Sequence, residues 1–139
     1  MDSGEDKELN SKKAQKYILE SMSQKPDIIC LPEVFLYAGD DKLKKAEKLS
    51  SNYITAFQEL AKIHNVNLVL GSIAIETETE KNTNSSLIIN RQGKIIYRYD
   101  KMYLYNVERE DFIYRESDTF IPGNKVGFFE LEGVKMGVG

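Results

Sequence analysis

A carboxylate stands where a buried strand should stop. Asp27-Ile-Ile-Cys-Leu-Pro-Glu33 is an apolar run closed by Pro32 and Glu33. A short apolar run bounded by breakers predicts a strand buried on both faces. In α/β sheets, ligands sit beyond the carboxyl ends of the strands, so Glu33 is expected at the rim of a pocket. A partly desolvated carboxylate there can serve as a general base. Taken alone, an acid after a strand is more often a helix cap or a surface residue. Lys101 and Glu116, further along the chain, add weight. Each has its own plain reading: Lys101 as a solvated lysine beside Asp100, Glu116 equally well as a loop residue bonded to nearby backbone.

Other residue types that could do chemistry count for less. Cys30 is the only thiol and lies inside the apolar run. Strand alternation sets Ile29, Leu31 and Glu33 on one face and Ile28 and Cys30 on the other, so Cys30 is expected in the core, pointing away from Glu33. His64 closes a predicted helix and suits a partner for its C-terminal dipole, not a ligand. Tyr97, Tyr99, Tyr103 and Tyr105 are expected to pack, although they could stack on a substrate. Gly137-x-Gly139 follows a strand but lacks the third glycine and helix of a dinucleotide loop.

The elements that must position Glu33 follow from periodicity. Met1–Leu9 is polar and expected to be loose. Helical spacing from Ala14 to Met22 predicts a helix capped by Asn10 or Ser11 and running to about Gln24. The Asp27–Leu31 strand follows, then a Tyr37–Asp41 loop. The lysines at 42, 44, 45 and 48, interleaved with Asp40, Asp41 and Glu47, predict a solvated helix face. Ser50 or Ser51 opens a strong helix with Ile54, Phe57, Leu60 and Ala61 inward and Asn65 as a left-handed stop. Val66–Gly71, extended through Ile75, is the next strand, and Thr77–Asn84 a hairpin tip. Leu87–Asn90 and Lys94–Tyr99 pair across Arg91-Gln92-Gly93. Met102–Pro122 is expected to be a long, functional loop. Phe128–Leu131 and Val134–Val138 form a last hairpin. This order predicts an α/β layered fold with helices packed on a largely buried sheet.

Composition narrows the class. The 139 residues suffice for one domain with a core, and the charged and hydrophobic shares, 29% and 41%, are those of a soluble protein. A net charge of -3 with scattered basic residues points away from nucleic acid and from anionic membranes. No apolar run nears membrane-spanning length, and the polar start lacks a signal-peptide core. One cysteine excludes an internal disulfide or a cysteine-built metal site, and suits a reducing cytoplasm.

Three motifs, in order, make the chain resemble the carbon–nitrogen hydrolase (nitrilase) superfamily, whose members use a Glu–Lys–Cys triad. Leu31-Pro32-Glu33 resembles the first motif and Arg98-Tyr-Asp-Lys-Met-Tyr-Leu104 the second. Gly71-Ser72 and Asn84-Ser85 match further family positions. Arg115-Glu116-Ser117, with Pro122-Gly123 after it, resembles the segment bearing a second active-site glutamate. The resemblance implies Glu33 as general base, Lys101 as the triad lysine and Glu116 as a fourth participant orienting the nucleophile or the substrate amine. Tyr103 stands where many relatives have histidine. In the family, a strand like Val134–Gly139 runs into a turn carrying the nucleophilic cysteine. The opening strand before the first helix also has no counterpart here.

The resemblance therefore implies a partial α-β-β-α sandwich of the nitrilase type: a polar segment over 1–10, then a truncated hydrolase domain over 11–139. The chemistry would be hydrolysis of small amides, carbamoyl amines or nitriles. A thiol, a base and a cation suffice for it, so no cofactor or metal is expected. The partner is a small-molecule amide or nitrile in the complete protein, and the resemblance alone implies a homo-oligomer. The chain as it stands is expected to be incomplete, inactive and marginally soluble, with unpaired sheet edges. The competing expectation is a non-catalytic interaction module or a decayed relative of the same fold.

Overall fold

Asp6 caps the first helix, four residues before the expected cap. The computed structural model describes residues 1–139. In it the Asp6 carboxylate accepts the Leu9 amide at 3.0 Å, opening α1 (Lys7–Ser21). Asn10 and Ser11 are buried inside α1 instead. The Asn10 side-chain amide donates to the carbonyls of Gly4 and Leu36 at 2.8 and 3.0 Å. Residues 1–9 are thus tied to the body of the protein rather than loose. Side-chain bonding of this kind is local, and helical periodicity does not report it.

β1 (Ile28–Cys30) follows, and then turns over residues 40–45 where a charged helix face is expected. Glu47 is buried there and pairs with Lys7. In α2 (Asn52–His64) the observed structure agrees with the spacing. Ser51 Oγ accepts the Ile54 amide, Asn65 is left-handed at φ 51°, and Ile54, Phe57 and Ala61 face inward.

Four strands make one sheet in the order β1-β2-β3-β4, with β2 Asn67–Ile75, β3 Thr83–Ile89 and β4 Ile95–Asp100. β1 runs parallel to β2; the other pairs are antiparallel. One face, through Leu68, Leu70, Leu87 and Ile89, packs on Ala14, Ile18, Phe35, Ile54 and Phe57. Phe35 and Phe57 meet edge to face at 5.4 Å. β7 (Gly127–Leu131) and β8 (Val134–Val138) form a hairpin that places Phe129 and Leu131 on Ile88, with Ile28 and Val69 beside them, on the opposite face. The layers are therefore helix, sheet and hairpin. Arg91 pins the hairpin turn: it reaches Glu132 at 2.5 Å and Asp27 at 2.6 Å.

Two further expectations fail. Cys30 is exposed, not core, because β1 is an edge strand and the hairpin covers its neighbour Ile28 only in part. Residues 102–122 are not a plain loop: β5 (Asn106–Arg109) pairs with β6 (Phe112–Arg115), and a 3-10 turn spans Glu116–Asp118. Arg109, Phe112 and Ile113 all face solvent, so this small hairpin has no buried face to impose an alternating pattern. No helix is long and apolar enough to cross a membrane.

Candidate active site

Glu33 leaves the end of β1 on a strained elbow. β2 carries a one-residue register shift between Leu70 and Ile73, a bulge centred on Gly71 and Ser72. Ser72 reaches back to the segment after β1, its amide donating to the Pro32 carbonyl and its hydroxyl accepting the Val34 amide, both at 3.2 Å. Gly71 must be small, since a Cβ there would lie 2.7 Å from the Leu31 carbonyl oxygen. Val34 sits at φ 50°, a left-handed conformation that costs a non-glycine residue about 1–2 kcal/mol. Glu33 is the residue between these two ties.

Lys101 comes from the end of β4. Its backbone amide donates to the Asn84 carbonyl at 2.9 Å, and its carbonyl accepts the Gly123 amide at 2.9 Å. Gly123 packs so closely that a Cβ would sit 2.1 Å from the Asp100 carbonyl oxygen. The Lys101 ammonium lies 2.9 Å from Glu33 Oε1 and 3.0 Å from Glu116 Oε2. Glu116, at the start of its 3-10 turn, is 6% exposed, and its Oε2 accepts the Tyr105 amide at 2.6 Å. The three residues singled out in the sequence are brought together.

Asn84, on β3, closes the cluster. Its Nδ2 donates to Glu33 Oε1 at 3.0 Å and to Glu116 Oε1 at 3.2 Å, which leaves Oδ1 buried and unpaired. Sequence reasoning matched Asn84 to a family position but gave it no role. Only the polarity of Thr83-Asn-Ser-Ser86, a strand buried along its whole length, hinted at one.

The electrostatics follow from this packing. Partial burial alone would raise the Glu33 carboxyl. The Lys101 ammonium, the Asn84 amide and the more distant Lys42 charge outweigh it and hold the carboxyl below its usual value. Burial likewise opposes the Lys101 ammonium, but Glu33 and Glu116 prevail and raise its pKa. The two neighbouring carboxyl groups thus keep the lysine protonated.

A pocket of about 100 Å³ opens beside it, with Glu33, Ser72, Asn84, Tyr99, Lys101 and Gly139 on its walls. A larger cleft of about 410 Å³ runs along Arg98 and Asn124, but there Arg98 and Asp100 pair with each other at 2.7 Å. The smaller pocket holds an ionised base beside a fixed cation, which is what proton transfer and stabilisation of a developing oxyanion require. Cys30 is not on its wall, and although the residue is exposed, partial desolvation raises its thiol pKa, which keeps that thiol protonated. Tyr103 is largely exposed and also lies off the pocket. No group of three or more His, Cys, Asp or Glu side chains converges as a metal site.

Against known proteins, residues 1–139 match the family model described as carbon-nitrogen hydrolase. The chain is 32% identical to the omega-amidase NIT3 of Saccharomyces cerevisiae over 147 residues, covering 99% of this chain and 50% of that protein. It is 30% identical to the 2-oxoglutaramate amidase of Bacillus subtilis, covering 91% of this chain and 46% of that one. The crystal structure of yeast Nit3, a member of branch 10 of the nitrilase superfamily, superposes with a TM-score of 0.83 at 29% identity, over 99% of this chain and 51% of that one. The chain spans about half the length of these relatives.

Proposed function

The chain belongs to the carbon–nitrogen hydrolase family, with its α/β nitrilase-type fold, and from that premise we propose that it carries the base and cation of an amidase site. Glu33 is the general base, Lys101 the electrostatic partner of the developing oxyanion, and Glu116 the carboxylate that holds the lysine in place. The observation that carries this reading is the Lys101 ammonium, which lines the pocket beside Glu33 and is fixed within 3.0 Å of both the Glu33 and the Glu116 carboxylates.

An amide carbon is a poor electrophile, so the reaction needs a thiolate nucleophile. In this proposal Glu33 accepts the thiol proton as sulfur adds to the carbonyl carbon. Lys101 stabilises the oxyanion, and ammonia leaves with a proton returned from Glu33. Glu33 then takes a proton from water as its oxygen adds to the thioester carbonyl, and returns that proton to the departing sulfur, which restores the thiol and the Glu33 carboxylate. That thiol is not Cys30, which lies off the pocket. Because the chain covers about half of its relatives' length, the proposal assigns the thiol to the part of the complete protein that this chain does not span, and residues 1–139 alone are expected not to turn over amides. The names of the relatives favour small carboxamides over nitriles as substrates. A cytoplasmic setting and a homo-oligomeric complete protein belong to the same proposal.

Ammonia release from small primary amides by the full-length gene product, and none by residues 1–139 alone, is the expected result. Full-length protein that turns over neither amides nor nitriles contradicts the proposal.

A further inference from the structure

Val34 is a β-branched residue with φ 50°, directly after the residue read above as the base. Such a conformation persists only where the surroundings impose it, and it clusters at functional sites. What imposes it is visible. Ser72 accepts the Val34 amide through its hydroxyl and donates its own amide to the Pro32 carbonyl, both at 3.2 Å. The two bonds bracket Glu33 on either side. Ser72 can make both because it sits in the β2 bulge, where the regular register to β3 is interrupted. It is 5% exposed, so water does not readily replace its hydroxyl.

We propose that Ser72 is a positioning residue that aims Glu33: its hydroxyl holds Val34 left-handed, and this elbow delivers the carboxylate to Lys101 and Asn84. Without the hydroxyl, Val34 relaxes toward an ordinary backbone region. The Glu33–Val34 peptide then turns, and the carboxylate leaves Lys101 and Asn84. The strain is local, and the Ser72 hydroxyl bond is the one that reaches Val34 itself. Removing both changes aim more than it changes overall stability. The inference rests on the reading of Glu33 as general base.

The test is Ser72→Ala in the full-length protein, assayed on a primary amide across pH, with Ser72→Cys as a second variant of similar size whose sulfur accepts weakly. The expected result is a fall in kcat of about 10- to 100-fold, as for a reacting group displaced by about an ångström, with KM little changed. The acid limb of kcat/KM moves to higher pH, because Glu33 loses the contacts that hold its carboxyl low. The double variant S72A/V34G regains part of kcat, since glycine takes φ 50° without strain. Ser72→Cys falls between serine and alanine. A role in stability alone would lower the melting temperature and leave the acid limb where it was. Retention of kcat and of the acid limb in the alanine variant, or in the cysteine variant should the first not fold, overturns the inference alone. A wild-type enzyme whose rate is indifferent to Glu33→Gln overturns the reading of Glu33 and this inference with it.

Discussion

Glu33 and Glu116 reach the same ammonium from opposite ends of the chain: Lys101 Nζ lies 2.9 Å from one and 3.0 Å from the other. The two carboxylates differ in surroundings. The Glu116 side chain is 7% exposed and that of Glu33 is 53% exposed. The buried carboxylate accepts a backbone amide and is held, whereas the open one faces the pocket and can exchange protons. A lysine pinned by the buried carboxylate and presented to the open one is the arrangement the proposed chemistry needs.

That arrangement fixes the sign of a pH dependence. The Glu33 carboxyl is held below its usual value, so its pairing with Lys101 contributes stability above the ordinary glutamate range. This contribution is lost as pH falls through the lowered folded value. Lys101 is raised, so its contribution is complete below the ordinary lysine range and lost as pH climbs through the folded value. Carboxyl NMR titration of Glu33 should give a midpoint below that of an unperturbed glutamate. In Lys101→Met the midpoint should rise, since burial is then opposed chiefly by Asn84.

Gly123 supports Lys101 from behind. A Cβ at this position would sit 2.1 Å from the Asp100 carbonyl oxygen, and its amide donates to the Lys101 carbonyl. Gly123→Ala should therefore push the β4 end aside and lower amidase activity of the full-length protein about tenfold or more. Steady-state kinetics beside a melting curve check this. The loss in rate should exceed what the change in melting temperature explains.

Much of this was legible in the sequence, for identifiable reasons. α2 shows its cap Ser51, its stripe of Ile54, Phe57 and Ala61, and its stop Asn65, because every local signal there agrees with the packing. Glu33 was visible because an apolar strand ending in Pro-Glu is an abrupt change of polarity. The β5–β6 hairpin was not, because its exposed Phe112 and Ile113 break the in-and-out pattern that marks a strand. Cys30 misled because apolar neighbours in sequence do not reveal an edge position. Asn84 and the Gly71–Ser72 bulge could not be weighed from sequence, since their importance lies in register to other strands.

The helix-facing core should be sensitive to truncation. Phe57 is fully buried and meets Phe35 edge to face at 5.4 Å. Phe57→Ala should cost about 3–5 kcal/mol in denaturant unfolding. Phe35 lies two residues from Glu33, so Phe35→Ala should also impair catalysis in the full-length protein.

The β7–β8 hairpin should be released by removing its pin. Arg91 joins Glu132, Asp27 and the Asn65 carbonyl. Arg91→Ala should speed hydrogen exchange over 127–138 more than over β2 and β3, which remain paired to one another. Uniform acceleration across the sheet would show that the hairpin does not open on its own.

The most direct measurement is the kcat/KM of the full-length protein on a small primary amide with Glu33→Gln. This substitution keeps the shape of the side chain and removes its capacity to take a proton. A loss of at least about 100-fold is expected, in line with removal of a general base, with the fold intact by circular dichroism. Wild-type turnover by the glutamine variant would contradict it.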